Sequence, residues 1–277
     1  MNKGQLGAAL RALWKASGKE AQAVARSALM SPSKLSKIEN ARLTPSMTDV
    51  ERILTALGVS AEARAEYTAA AREAATEIVA WRLLKRAGVH RGQQAAKALE
   101  SQMSILRLFQ PALIPGLLQT PEYMRAILQR HDLGEDILNR TIAGRIERQL
   151  VLHDAKKSLN FIVTESVLRW RILPPGMMAG QIDRIISISR LPHVDIRVVL
   201  LRSRQNDVPS HSFVIRDDRL VTIEAAHARI DVTDARDIDL YAQKFDAFAR
   251  IAVSGDDMRD ILAEVRNEFL REQEIDL

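Results

Sequence analysis

Residues 29–39 read Leu-Met-Ser-Pro-Ser-Lys-Leu-Ser-Lys-Ile-Glu, and this stretch decides the fold of the N-terminal part of the chain. Ser31 can accept a hydrogen bond from an unpaired backbone N–H as an N-cap, and Pro32 suits the first helical position because its nitrogen carries no hydrogen. The stretch therefore predicts a helix beginning at Pro32. Steps of about 100° per residue put Leu35 and Ile38 on one side of this helix, so that side is expected to be buried.

The opposite side of the predicted helix is small, polar and cationic. It holds Ser33, Ser36, Lys37 and Asn40. A face without bulky side chains can enter the major groove of DNA, about 12 Å wide, and reach base edges and phosphates. The alternative is an ordinary amphipathic surface helix, which would show the same pattern. The neighbouring sequence favours the first interpretation.

Residues 18–42 resemble the helix-turn-helix of bacterial regulators of the Xre/Cro–CI type. The matching positions are Val24, Ala25 and Ala28 in the first helix of the motif, Ser31 at the cap, and Leu35, Ile38 and Glu39 in the second helix. The resemblance implies a DNA-binding head. Three positions depart from the family pattern, with Ala21 in place of a phosphate-gripping Gln and with Leu29 and Ala41 in place of Gly. A Leu in the turn is unfavourable if the backbone there needs a positive φ.

The candidate DNA contacts fall into two groups. Lys37 and Ser33 are expected to read bases, with Ser36 and Asn40 beside them on the same face. Phosphates, which fix the register of a protein on DNA, are expected to contact Lys34, Arg42, Arg11 and Lys15. One helix per head implies a homodimer on two half-sites of double-stranded DNA, about 34 Å or a multiple apart.

The distribution of charge agrees with a DNA-binding head. Residues 1–60 hold nine lysines and arginines against four acidic residues, a net charge of +5. The whole chain has 40 lysines and arginines, 35 acidic residues and the same net charge, so the rest of the chain sums to zero. All of the excess positive charge therefore lies where phosphates are expected to bind. Chance clustering of five charges is the alternative.

The composition of the chain excludes several kinds of site and of protein. The chain has 277 residues, 47% of them hydrophobic, and can bury a full core. It contains no Cys, which excludes disulfides and thiolate metal sites. Because the sequence has neither an apolar run of about 18 residues nor a basic and apolar export signal, we expect a soluble cytoplasmic protein without a membrane partner.

The chain is expected to divide into three parts. Residues 1–60 form the helical DNA-binding domain, in which Leu6, Leu10, Leu13 and Trp14 mark a first helix and Gly58 ends the last. Residues 61–80 are rich in Ala, Glu and Arg, which predicts a helical linker able to transmit a change between domains. Residues 81–277 form the second domain, opening near Trp81.

The second domain is expected to have an α+β fold. Helices are predicted over residues 93–109, 136–153, 177–190, 234–253 and 256–271, and a further helix is predicted to start at Thr120-Pro121-Glu122. Strands are predicted over residues 159–164, 194–201, 212–215, 220–224 and 229–232, which are short, β-branched and separated by turns. Helices first, followed by strands with helices among them, indicate α+β rather than alternating α/β.

A second resemblance covers this domain. Its main motif is residues 109–123, Phe-Gln-Pro-Ala-Leu-Ile-Pro-Gly-Leu-Leu-Gln-Thr-Pro-Glu-Tyr, supported by residues 98–100, 148–150 and 164–169. These are similar to the C-terminal domain of actinobacterial WhiJ / Scr1 antitoxin-like regulators. The resemblance implies that a gene for a small companion protein lies nearby and that the chain controls development or secondary metabolism. Physically, the motif requires only an extended segment, a turn that Gly permits and a capped helix.

No catalytic residue, cofactor site or metal site is expected. The sequence lacks Gly-rich phosphate loops and metalloprotease, hydrolase and calcium-loop motifs, and its six His residues are scattered singly. His211, His227 and Glu224 could meet and hold a metal, although packed imidazoles explain them better. Two hypotheses remain: a transcriptional regulator, with repression the favoured mode, whose second domain senses a companion protein or a metabolite, or an antitoxin-type protein that neutralises a partner and binds DNA secondarily. An enzyme ranks far below both.

Overall fold

The computed structural model describes residues 3–40, 42–43, 45–74, 76–80, 89–131, 133–204, 207–225 and 228–275. The chain forms two compact units. The first comprises Met1–Ile78 with Ile230–Asp239, and the second comprises Val79–Arg229 with Leu240–Leu277. The predicted opening of the second domain at Trp81 lies outside the described residues.

The first unit is built around five helices among its described residues. They are α1 (Lys3–Ala16), α2 (Ala21–Ser27), α3 (Pro32–Glu39), α4 (Met47–Leu57) and α5 (Ala61–Ala74). Their shared core consists of buried side chains, mainly Leu6, Leu10, Val24, Ala25, Leu35, Ile38, Val50, Ile53 and Leu54. This core contains the apolar positions predicted for the first helix and for the helix-turn-helix.

The ends of the helices follow their capping residues. Ser31 accepts a hydrogen bond from the Lys34 N–H (3.1 Å), and Pro32 occupies the first turn of α3. The N-terminus of α4 carries a capping box between Ser46 and Asp49, each side chain bonding the other residue's backbone N–H at 3.1 Å. Gly58 ends α4 with a φ of 74°, a conformation that favours Gly. The start of α3 predicted from Ser31 and Pro32 is confirmed.

The helix predicted for the whole linker, residues 61–80, is corrected by the structure. Helix α5 ends at Ala74, and Thr76–Ala80 forms strand β1. The buried side chains of Ala70 and Ala71, with Tyr67 packed against them, belong to the core of the first unit. The Ala-rich composition predicted the helix correctly, but one face of α5 is part of a core and the segment after it contains β-branched residues. The domain boundaries themselves stay a prediction.

The remaining elements complete an α+β chain. The helices are α6 (Val89–Gln102), α7 (Pro121–Leu128), α8 (Glu135–Arg148), α9 (Glu165–Arg169), α10 (Pro175–Ile188), α11 (Ala235–Ile251) and α12 (Gly255–Ile275). The strands are β2 (Ile105–Gln110), β3 (Ser158–Thr164), β4 (Val194–Val199), β5 (Phe213–Arg216), β6 (Leu220–Glu224) and β7 (Ala228–Val232). Short 3-10 turns occupy Gly116–Leu118, Gln129–His131 and Gln149–His153. The predicted fold class, a helical N-terminal domain followed by an α+β domain, is confirmed.

Within the described residues of the second unit, strands form a mixed sheet in the order β6-β5-β2-β3-β4. Strands β2, β3 and β4 are parallel, with Leu108 paired to Phe161 and Phe161 paired to Ile196. Strand β5 runs antiparallel to both β2 and β6. Helices α10 and α12 cover one face with side chains such as Ile182 and Leu262. Phe109 stacks on Phe248 of α11 with ring centroids 4.2 Å apart.

The helix predicted over residues 93–109 is wrong in its second half. Helix α6 ends at Gln102, and Ile105–Gln110 is the β2 strand between β3 and β5. Leu99, Met103 and Leu106 have helical spacing, which produced the wrong prediction. The sheet has partners on both sides of this segment and buries Leu106 and Phe109 almost completely, so tertiary pairing overrides the local pattern.

Candidate nucleic-acid interface

Helix α3 has the two faces that its sequence predicts. Leu35 and Ile38 are 3% and 1% exposed and pack into the core of the first unit. Ser33, Ser36 and Lys37 are exposed. The helix therefore presents small polar side chains and one cation to its surroundings, without a bulky group among them. Their roles toward DNA stay a prediction.

Lys34 is engaged by a carboxylate of the same unit. Its Nζ donates to Asp49 Oδ1 at 2.7 Å, and Asp49 is 5% exposed. Burial alone would raise the pKa of Asp49, but hydrogen bonds from Lys34 and Ser46 and the Lys34 charge outweigh it and lower that pKa. Part of the positive charge predicted to contact phosphate is thus neutralised by Asp49. Sequence analysis missed Asp49: the Ser46-x-x-Asp49 spacing signals its capping role, but its pairing with Lys34 depends on how α4 packs against α3.

Asn40 caps α3 and does not extend freely from its end. Its Nδ2 donates to the Ser36 carbonyl oxygen at 2.7 Å and lies 3.4 Å from the Ser36 hydroxyl. Asn40 and Ser36 are therefore brought together, as expected for one face of a helix. The amide still lies on the exposed surface beside Ser36, but one of its two donors is used within the helix.

The three remaining candidate cations are exposed around the end of α3 and along α1. Lys37 accepts backbone hydrogen bonds from Arg42 (2.8 Å) and Leu43 (3.0 Å), which fixes the segment holding Arg42 directly after α3. Burial raises the pKa of Glu39, and the charge of Arg11 on α1 lies close enough to offset part of that rise. Lys15 follows Arg11 by one helical turn and is exposed. The structure thus brings Arg11 and Arg42 to the C-terminal end of α3.

Glu39 has an unusual environment for a carboxylate. Its Oε1 is buried and makes no hydrogen bond within the described part of the chain. Burial raises the pKa of Glu39, and the Arg11 charge offsets only part of that increase. The carboxylate is thus destabilised in its charged form at the end of the helix.

The departures from the helix-turn-helix pattern have a visible effect at the turn. Leu29, between α2 and α3, has a φ of 53° and is 75% exposed. This is the left-handed region, which is unfavourable for residues with a Cβ. A Leu therefore occupies a position where Gly would be unstrained. Ala21 begins α2, and Ala41 lies outside the described residues.

Only part of the possible metal trio lies within the described structure. His211 Nε2 lies 3.0 Å from the Tyr241 hydroxyl, Glu224 is exposed, and His227 lies outside the described residues. Among the described residues, no group of three or more His, Cys, Asp or Glu side chains is arranged to hold a metal ion.

The described helices also include none that is both long and apolar enough to cross a bilayer.

Comparisons with solved structures give weak similarities. One is to TrmBL2, an archaeal chromatin protein reported to show a novel mode of DNA binding, with a TM-score of 0.34 and 13% identity over 65% of this chain and 54% of that one. Another is to Nuc, a phospholipase D family member of Salmonella typhimurium, with a TM-score of 0.35 and 10% identity over 65% of this chain and 97% of that one. This chain thus spans about half of TrmBL2. Both TM-scores are too low for either structure to support an inference about the function of this chain. A search of curated proteins found no significant match.

Family profiles match both parts of the chain. Residues 5–67 match a family described as "Helix-turn-helix domain", which contains α1 to α4 and the start of α5. Residues 93–264 match a second family, and this region makes up more than half of the chain. The chain is therefore a helix-turn-helix protein that belongs to the family described as "Domain of unknown function (DUF5753)".

Proposed function

We propose that this protein is a sequence-specific DNA-binding transcriptional regulator that acts as a repressor. The observation that carries the proposal is the exposed face of α3, formed by Ser33, Ser36 and Lys37 over the buried pair Leu35 and Ile38. A helix held this rigidly by its apolar side can enter the major groove with its polar side toward the bases. The helix-turn-helix match over residues 5–67 supports the same role.

The proposed contacts divide by chemistry. Lys37 can donate to the O6 and N7 acceptors of guanine. The Ser33 hydroxyl can donate a hydrogen bond to a base acceptor or accept one from a base donor. Arg42, Arg11 and Lys15 are exposed cations for phosphates, which would fix register without reading sequence. Lys34 contributes less than its charge suggests, because Asp49 already pairs with it at 2.7 Å.

A DNA titration at several salt concentrations tests the proposal. We expect binding that prefers a selected operator over random DNA at physiological salt, and an affinity that falls linearly with log salt. Equal affinity for operator and random DNA would contradict sequence-specific regulation. Repression is tested separately, by reporter expression from the selected operator with and without the protein.

The proposal includes a homodimer on DNA. One head offers a single recognition helix, and such a small module buries too little surface for tight selective binding. Two half-sites about 34 Å apart, or a multiple, are expected. Light scattering at micromolar concentration and footprinting measure the two features. A monomer with a footprint of one half-site would contradict the dimer.

For the second domain we propose a small companion protein as the sensed partner. The support is the resemblance of residues 109–123 to regulators with a neighbouring companion gene, together with the small net charge of residues 81–277, which hold 29 lysines and arginines against 27 acidic residues. The β4 edge offers little for an added strand, since Val198 and Val253 exchange two backbone hydrogen bonds of 2.9 Å there. Co-purification with the neighbouring gene product, followed by an operator titration of the complex, tests the role. Association without a change in operator affinity would contradict sensing.

An antitoxin-type protein is the second candidate. The strained turn at Leu29 and the engagement of Lys34 by Asp49 favour it, because both weaken a DNA-binding head. It predicts tight binding of the companion and weak, nonselective DNA binding at physiological salt. The salt titration above separates the two candidates, because only the regulator retains selective binding under those conditions.

A further inference from the structure

The segment before α7 is held by three buried glutamines. Gln119 Nε2 donates to the Ile114 carbonyl at 2.7 Å, and Gln149 Nε2 donates to the carbonyls of Gln119 (2.8 Å) and Gly116 (3.1 Å). Gln181 of α10 donates to the Leu118 carbonyl at 2.9 Å. These bonds satisfy the backbone of a segment that has no sheet or helix partner. These hydrogen bonds explain why the polar side chains of Gln119, Gln149 and Gln181 are buried.

Two arginines contact this network through the oxygen atoms of its glutamines. Arg145 of α8 donates from Nη1 to Gln119 Oε1 at 3.3 Å. Arg184 of α10 donates from Nη2 to Gln149 Oε1 at 2.6 Å. Because Gln149 also binds the Gln119 carbonyl, both guanidinium groups belong to one cluster of side chains.

Neither arginine has an anionic partner at contact distance in the described structure. The Nε atoms of Arg145 and Arg184 are buried, and they make no hydrogen bond with any residue that the structure describes. Arg148 shows what a satisfied arginine looks like here, since its Nε donates to Glu100 Oε2 at 3.0 Å and a second nitrogen binds the other oxygen. Arg145 and Arg184 thus contact neutral amides, whereas Arg148 contacts a carboxylate.

The charges near Arg145 and Arg184 do not balance the positive charge of the two guanidinium groups. Burial lowers the pKa of Arg145 and, to a smaller extent, so does the nearby Arg148, whereas Glu224 favours the charged form from beyond ion-pair distance. Burial also lowers the pKa of Arg184. A guanidinium removed from water without a counter-charge is unfavourable, and unsatisfied buried donors are rare in proteins. Planar guanidinium groups match carboxylate and phosphate oxygens well.

We propose that Arg145 and Arg184 form a binding site for a small molecule that carries a phosphate or carboxylate group. The glutamines orient the two guanidinium groups through one nitrogen each and leave other donors for the anion. This inference goes beyond the proposed regulatory role, because it concerns a ligand of the second unit and its test needs no DNA. The competing explanation is that both arginines only brace the glutamines.

Titration of the full-length protein with inorganic phosphate and, separately, with malonate tests the site. We follow the arginine Nε–H resonances by NMR, with chloride at matched ionic strength as the reference. Arg145→Gln and Arg184→Gln assign the two signals. We expect both signals to shift together and to saturate with one dissociation constant. A response to phosphate alone or malonate alone supports the site and identifies the ligand group. No shift with either probe overturns it.

Thermal unfolding provides the second measurement and its control. Phosphate is expected to raise the Tm of the wild type by a few degrees and to lose this effect in Arg145→Gln and Arg184→Gln. Arg140→Gln is the matched control, because Arg140 is exposed on the same helix α8 and donates to the Asp136 carbonyl. An increase that persists in both glutamine variants, or that disappears in Arg140→Gln, overturns the proposal. If a glutamine variant does not fold, the wild-type resonances decide.

Discussion

Lys34 and Asp49 join the first turn of α3 to the first turn of α4 through an ion pair of 2.7 Å. Asp49 also accepts the Ser46 N–H of its own capping box at 3.1 Å. One buried carboxylate therefore fixes the start of α4 and holds a side chain of the candidate recognition helix. The position of α3 depends on this residue as well as on its apolar face.

The first prediction concerns Asp49. Asp49→Ala removes the cap and the partner of Lys34, and we expect it to lower the free energy of unfolding by about 1–2 kcal/mol. Lys34→Ala should lower it by less than about 1 kcal/mol, because Lys34 is 41% exposed and solvent screens the pair. Urea denaturation measures both, with the exposed neighbour Thr48→Ala as control. Equal losses in the Asp49 and Thr48 variants would argue against this role.

The pH dependence of Asp49 follows from the same contacts. Its pKa in the folded state lies below the ordinary value of 3.8. The stabilisation by its charged form is therefore complete above that value and is lost as pH falls through the lower, folded-state pKa. We expect the difference in stability between wild type and Asp49→Asn to shrink in acid. A difference unchanged between pH 7 and pH 2 would contradict this assignment.

Glu39 should behave in the opposite way. Its pKa is raised above 4.5, mainly by burial, so protonation stabilises the fold. Stability from this group should rise as pH falls through the folded-state pKa and be absent at neutral pH. Glu39→Gln is therefore expected to raise the free energy of unfolding at pH 7, by at most about 1 kcal/mol. Glu51→Gln on the exposed surface of α4 is the control and should change little. A destabilised Glu39→Gln would show that Arg11 outweighs burial.

Leu29 gives a prediction about the turn. Because its φ of 53° is strained for a residue with a Cβ, Leu29→Gly should stabilise the first unit by about 0.5–1 kcal/mol, after the entropy of the unfolded chain is included. Arg26→Gly, inside α2, is the contrasting control and should destabilise by about 1 kcal/mol. Thermal unfolding of both variants distinguishes relief of strain from a general effect of Gly. Destabilisation by Leu29→Gly would mean that the Leu side chain makes contacts worth more than the strain.

The sequence predicts those parts of the fold that local chemistry controls. Ser31 and Pro32 fix the start of α3, and β-branched runs such as residues 159–164 and 220–224 become strands. It fails where distant partners decide, as for Leu106 and Phe109, whose burial requires β3 and β5 on either side. In the candidate interface the exposed face of α3 is predictable from its period. The engagement of Lys34 is harder to predict, because it depends on how α4 packs against α3.

The clustering of Arg145 and Arg184 cannot be predicted from the sequence. Between Arg145 and Arg184 the chain forms a 3-10 turn, strand β3 and helix α9, and neither arginine belongs to a recognisable motif. Their relationship arises only because Gln119 and Gln149 hold the same loop. The conspicuous motif at residues 109–123 does identify that loop, so the sequence locates the region without revealing its charges.

The last prediction concerns Lys37, the exposed cation in the middle of the polar face of α3. If Lys37 reads a base, Lys37→Ala should weaken operator binding by about 1–3 kcal/mol and relax specificity at one position. Arg42→Ala, which removes a candidate phosphate contact, should weaken binding to every sequence and reduce the salt slope by about one. Lys156→Ala, an exposed lysine of the second unit, is the control and should change neither quantity. Competition titrations with operator and random DNA at several salt concentrations separate these effects. A folded Lys37→Ala variant with full operator affinity would mean that the recognition surface lies elsewhere on the first unit.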